Sequence, residues 1–220
     1  MSAKPKPIHY PDDDGLPMSD NTWQFNAIVL LHSGLDAMFL DAEDVFVAGN
    51  HLIYPVKGSP ETRQAPDVYV AFGVTKVPRG SYKVWEENGV FPQVVFEVWS
   101  PHNRLQAMED KRTFYERHGA EEYYIVYPEH PSFVEGWRRE GGKLVRLPEM
   151  NGFVSPRLGI RFELTLGHLT VFAPDGRPFR SPAEVIAERD ETARLAAEER
   201  ERSARLAAKL RALGVDPDAA

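Results

Sequence analysis

Three residues invite chemistry: Asp67 in Ala65-Pro66-Asp67-Val68-Tyr69-Val70, Glu97 in Val94-Val95-Phe96-Glu97-Val98-Trp99-Ser100, and Lys111 in the segment that follows. Both acids sit in or beside runs of β-branched and aromatic residues, the composition of a sheet interior, where an unpaired carboxylate is costly to bury. Side chains alternate along a strand, so Gln93, Val95, Glu97 and Trp99 share one face while Val94, Phe96 and Val98 share the other. A run apolar on both faces reads as a strand covered on both sides, and a carboxylate held there needs a cation. Positions 104, 107, 108, 111, 114, 115 and 118 follow one stripe of a helix, and Lys111 falls in that stripe among Ala107, Met108, Phe114 and Tyr115. A lysine in such a face snorkels to solvent or meets an anion. Taken singly, each residue has an ordinary structural explanation: Asp67 caps a turn, and Glu97 and Lys111 form a buried ion pair without chemistry. The three together point to a site.

The elements that must position them are legible around these residues. Ser100-Pro101-His102-Asn103 reads as a turn with Asn103 as N-cap, and a helix over 104–118 ends at Gly119. Upstream, Ser19 or Asp20 caps a helix running to about residue 33, with Trp23, Ala27, Leu30 and Leu31 inward and Gly34 as its stop. Residues 44–48 and 51–55 read as two strands joined by Gly49-Asn50 in a hairpin. Pro66 introduces a strand over 67–72. The long loop 73–89 interleaves Lys76, Arg79 and Lys83 with Tyr82 and Trp85, a mixture suited to phosphate and bases and equally to a lid packed on Trp85. Further strands are expected at 122–127, at 132–138 and 143–147 around Gly141-Gly142, and at 158–164. This order predicts an α/β (α+β) fold, a mixed sheet flanked by helices rather than a repeating βαβ array.

With these elements in place, a resemblance becomes visible. Ala-Pro-Asp-Val, then Glu-Val-Trp-Ser-Pro, then the helix with Lys111 and Tyr115, then Gly119-Ala120-Glu121-Glu122-Tyr123-Tyr124-Ile125-Val126-Tyr127-Pro128, resembles the Uma family of bacterial restriction endonucleases in the PD-(D/E)XK nuclease superfamily. The likeness spans about residues 19–164. It implies a restriction-endonuclease-like fold in which Asp67 and Glu97, with the Val98 carbonyl, hold Mg²⁺ or Mn²⁺, and Lys111 orients or activates the attacking water; hard oxygen ligands suit such ions. It also implies DNA as substrate, hydrolysed at its phosphodiester bonds. One departure is plain: the superfamily sets its lysine two residues after the acid, where this chain has Trp99, and the resemblance assigns that role to Lys111 on the helix. Gln106 and Gln64 stand where an acid is common, and with Lys76, Arg79 and Lys83 they are the expected substrate contacts.

Composition bounds the rest. A chain of 220 residues, 42% of them hydrophobic, can bury one core with a small appendage. The absence of cysteine excludes disulfides and thiolate metal sites, and seven histidines without HxH or HExxH spacing argue against zinc. No apolar signal region or membrane-length run appears, so a cytoplasmic protein is expected. A net charge of −7 runs against a nucleic-acid partner without excluding one, because charge can be local and a bound cation is itself positive. Three segments are expected: a flexible arm at 1–18, whose Asp12-Asp13-Asp14 reads as a solvated charge run; a nuclease-like domain at 19–180; and an Ala/Arg/Glu-rich helix at 181–220. In the last, Ser181 caps, Pro182 opens, Gly214 and Pro217 stop, and an eleven-residue repeat sets Leu195 and Leu206 on one coiled-coil-like stripe. A homodimer is expected by analogy with two cuts in a duplex. The competing expectation is a non-catalytic nuclease-fold protein that binds DNA or another protein through its C-terminal helix.

Overall fold

The structure, a computed structural model, describes residues 8–13, 15 and 19–213; Asp14, most of the 1–18 arm, Gly214 and Pro217 lie outside it. The chain divides into two compact units, Met1–Phe179 and Arg180–Ala220.

The first unit is built on a six-stranded mixed sheet. Its strands are β1 (Val45–Ala48), β3 (Val68–Phe72), β5 (Val94–Val98), β6 (Glu122–Tyr127), β7 (Phe133–Glu140) and β8 (Lys143–Arg146), lying side by side in that order. Only β5 and β6 run parallel, and the helix α2 (Leu105–His118) makes the crossover between them; every other pair is antiparallel. β5 is buried at all five positions, as a strand covered on both faces must be. Helix α1 (Thr22–Met38) covers one face, where Ile28, Leu31 and Leu35 pack with Val68, Val70, Phe96 and Val98. Helix α2 covers the other, where Met108 and Tyr115 pack with Tyr69, Val95 and Tyr123. The protein is therefore a mixed α/β fold with helices on both sides of its sheet. Two small sheets complete the unit: β2 (Ile53–Tyr54) with β4 (Tyr82–Lys83), and β9 (Arg161–Thr165) with β10 (His168–Phe172).

Five local expectations are corrected. Helix α1 does not stop at Gly34 but runs to Met38, because Leu35 is fully buried and Gly34 gives room to the Phe179 ring, with which a Cβ would collide. Its N-cap is Asn21, whose side chain accepts from the Gln24 amide, and its inward face is turned so that Trp23 is 60% exposed while Gln24 is buried. Gly49-Asn50 does not close a hairpin: β1 pairs with β3, and β2 pairs in parallel with β4 in a separate sheet. Gly49 instead lets the backbone pass against the Asp67 carbonyl, and Asn50, in the left-handed region at φ 55°, donates its amide to Pro66. Asn103 is not the cap of α2, since its side chain accepts from the Ser100 amide and Arg104 takes the cap position without a side-chain bond. The hairpin partner β10 was not anticipated at all.

Part of the N-terminal arm is anchored. Tyr10 packs on Tyr54 and Trp85, the Tyr54 hydroxyl donates to the Pro11 carbonyl, and Asp12 lies against Gly80. The second unit is one helix, α3 (Pro182–Ala212), opened by Ser181 and Glu184 in a reciprocal capping box with Pro182 in its first turn. No helix among the described residues is long and apolar enough to cross a membrane.

Candidate active site

The register of β3 against β5 pairs Val68 with Phe96, which sets Asp67, just before β3, opposite Glu97 on the face covered by α2. The Val98 amide donates to Asp67 Oδ2 at 2.6 Å, tying that carboxylate to the strand beside it. Glu97 is wholly buried. Helix α2 crosses above and supplies two donors one turn apart: Lys111 Nζ donates to Glu97 Oε2 at 2.7 Å, and the Tyr115 hydroxyl donates to Glu97 Oε1 at 2.7 Å. Spacing of four residues places both on the same helix face, so the carboxylate is gripped at both oxygens in one orientation.

The charges in this site do not balance. Two carboxylates face one ammonium, and burial, followed by the neighbouring Glu97 charge, pushes Asp67 up to about 8 in spite of Lys111 and the Val98 amide. Asp67 keeps some exposed surface, yet protein crowds its carboxyl closely enough that loss of water dominates. Ionising both carboxyls thus requires further positive charge. A hard divalent cation fits that deficit and the donors present, which are two carboxylates and the Val98 carbonyl. That carbonyl already accepts from Gln24 Nε2 at 3.0 Å, but a carbonyl has two lone pairs. Among the described residues no group of three or more His, Asp or Glu side chains forms a metal cluster.

The place two residues after the acid holds Trp99, stacked on Tyr127 with ring centroids 5.4 Å apart. Lys111 reaches Glu97 from the helix.

The remaining sequence-derived residues divide. Gln64 pairs its backbone with Ile53 on the far side of the turn that precedes Asp67. Gln106 is exposed on α2 and donates to Asp110 Oδ1 at 2.9 Å. The cations of loop 73–89 all have partners within the protein. Lys76 meets Asp36 at 3.0 Å and the Phe39 carbonyl at 3.2 Å, holding the end of α1. Lys83 lies 3.6 Å from Glu86. Arg79 pairs with Glu87 at 3.3 Å, donates to the Thr75 carbonyl and sits over the Phe46 ring, 4.0 Å from its centroid, with its side chain only 10% exposed.

Sequence reasoning passed over a second polar group at the same strand end. Gln24 donates to Val98, accepts from the Asp20 amide at 2.7 Å, and is buried. Ser100, wholly buried, donates to Asp20 Oδ2, and His102 Nδ1 stands 3.7 Å from the same oxygen. The signal for Gln24 lay in the apolar spacing of Ile28, Leu31 and Leu35, which extends back to position 24 rather than to Trp23.

Residues 16–171 match the model of a family described as "Uma2: Putative restriction endonuclease". Among solved structures, a "putative nuclease belonging to DUF820" from Anabaena variabilis is similar at 10% identity with a TM-score of 0.47, over 62% of this chain and 73% of that one. No curated protein matches the chain.

Proposed function

The chain belongs to the Uma2 family, and from that premise we propose that it is a Mg²⁺- or Mn²⁺-dependent DNA endonuclease with Asp67, Glu97 and Lys111 at its centre. The observation that carries the reading is the pair of facing carboxylates served by one lysine, with Asp67 raised to about 8 by burial and then by the neighbouring Glu97 charge. Asp67 and Glu97 would hold the metal, with the Val98 carbonyl a third oxygen. When bound, the ion supplies neutralisation of the scissile phosphate and a water acidic enough to attack it. Lys111 orients that water and stabilises the negative charge that develops on the phosphate oxygens. Tyr115 fixes the Glu97 carboxylate through its hydroxyl, and the half-buried surroundings of Asp67 limit competing water. Lys76 and Lys83, with side chains 30% and 26% exposed, are the loop cations best able to reach phosphates, Gln64 and Gln106 would be further substrate contacts, and Arg79 secures the loop. A homodimer would bring two such centres to the two strands of a duplex.

Nicking of supercoiled plasmid with Mg²⁺ or Mn²⁺ tests the reading. Cleavage by the wild type that is lost in both Asp67→Asn and Lys111→Ala supports it, and cleavage that persists in both contradicts the assignment.

One observation favours a second reading, a non-catalytic nuclease-fold protein: both Glu97 oxygens already have donors inside the protein, as a purely structural ion pair would. Absence of cleavage together with absence of Mn²⁺ binding would select it.

A further inference from the structure

The tail unit exposes its apolar residues along its whole length. No residue of α3 is buried, and Leu195, Leu206 and Leu213 are 52%, 53% and 79% exposed. At 100° per residue, Leu195, Glu199, Arg202, Leu206 and Leu213 share one stripe, and the first four keep the four-three-four spacing of a two-helix seam. The charges fall into two groups: residues 182–198 carry five acids and two bases, and residues 199–212 carry two acids and five bases. The helix macrodipole favours such a bias only within the terminal turns, where Glu184 and Arg211 already lie, so it leaves the rest unexplained. Ion pairing within the helix sharpens the pattern. Arg194 pairs with Glu191 and Glu198, and Arg205 with Glu201, all off the stripe, whereas Glu199 and Arg202 on the stripe make no ion pair among the described residues.

We infer that α3 pairs antiparallel with α3 of a second copy of this chain, through Leu195, Glu199, Arg202 and Leu206. In the register that sets Leu195 opposite Leu206, Glu199 meets Arg202, twice by two-fold symmetry. The acidic half of one helix then lies along the basic half of the other. Two leucine layers enclose a central pair of Glu199–Arg202 contacts, a polar layer that selects register and direction. Parallel pairing in register would set Glu199 against Glu199 and Arg202 against Arg202, which is repulsive. The apolar seam is short and much of the attraction is between exposed charges, so the dimer weakens as salt rises. This inference stands independently of the nuclease reading.

The absence of cysteine from the chain permits a site-specific test on the full-length protein. Leu195→Cys and Leu206→Cys, both at exposed positions, are mixed, allowed to exchange and treated with a short bismaleimide. The mixture is expected to cross-link roughly tenfold more than Leu195→Cys alone, because the two copies of position 195 would stand about 16 Å apart along the axis. Sedimentation should show a wild-type dimer that Glu199→Arg dissociates and that adding Arg202→Glu to the same chain restores. A monomeric wild type, cross-linking of Leu195→Cys to itself as strong as in the mixture, or failure of the double swap to restore the dimer would overturn the inference.

Discussion

Lys111 Nζ and Glu97 Oε2 lie 2.7 Å apart, joining a helix to a wholly buried position in the strand beneath it. Burying Glu97 is tolerable only because this cation, and the Tyr115 hydroxyl on the other oxygen, take the place of water. Lys111→Ala should therefore destabilise the protein by about 3 kcal/mol, the order expected when one partner of a buried ion pair is removed. Added Mn²⁺ should return part of that loss by supplying another cation. Urea denaturation of the variant with and without Mn²⁺ checks both; an unchanged midpoint on adding metal would speak against a cation site at Glu97.

The facing carboxylates give the metal-free protein a definite pH dependence. Asp67 is raised to about 8 in the folded state, chiefly by burial, so the folded chain holds a proton that the unfolded chain has already released. A carboxyl shifted in this direction contributes stability below its unfolded pKa, and that contribution falls from about pH 4 and is lost as pH rises through about 8. Thermal melts of the wild type in EDTA should decline across that window. Asp67→Asn, which still offers an acceptor to the Val98 amide, should flatten the decline and be the more stable protein at its alkaline end.

Tyr115→Phe isolates the second grip on Glu97. Removing one hydrogen bond to a buried carboxylate should cost about 1.5–3 kcal/mol and leave the fold intact. With Glu97 less firmly oriented, the metal-dependent nicking rate should fall roughly tenfold, equivalent to about 1.4 kcal/mol of barrier. Denaturation and rate measurements on the same preparation separate the two effects.

Gln24→Leu removes the donor to the Val98 carbonyl and the acceptor for the Asp20 amide together. Leaving the carbonyl of the buried Val98 without that donor should destabilise by about 1–3 kcal/mol. Because the carbonyl lone pair is thereby released rather than lost, Mn²⁺ affinity should not fall. Calorimetry decides whether Gln24 braces the site or belongs to it.

The convergence of Asp67, Glu97 and Lys111 was legible because each breaks the pattern around it: a carboxylate in an apolar strand and an ammonium in the apolar face of a helix have few places to go except toward each other. The central strand and its crossover helix were legible for a related reason, since Val94–Val98 is apolar on both faces but for Glu97 and Leu105–His118 keeps an apolar stripe at helical spacing. What escaped depended on distant chain. Gly34 looks like a helix stop until Phe179 packs against it. Gly49-Asn50 looks like a hairpin turn until β3 takes β1 as its partner and β4 takes β2. Gln24 is hidden by its polarity, and its burial makes sense only beside the end of β5. The cations of loop 73–89 read as suited to phosphate contact or to a packed lid, but Arg79 finds Phe46 and Glu87, and Lys76 finds Asp36, in segments no local pattern connects.

The most direct test of the metal-site account is calorimetric titration of Mn²⁺ into the wild type, Asp67→Asn and Glu97→Gln. The account predicts saturable binding to the wild type, accompanied by proton release below about pH 8 as Asp67 ionises, and no saturable binding in either variant. Binding of equal strength in all three proteins, or none in the wild type, would contradict it.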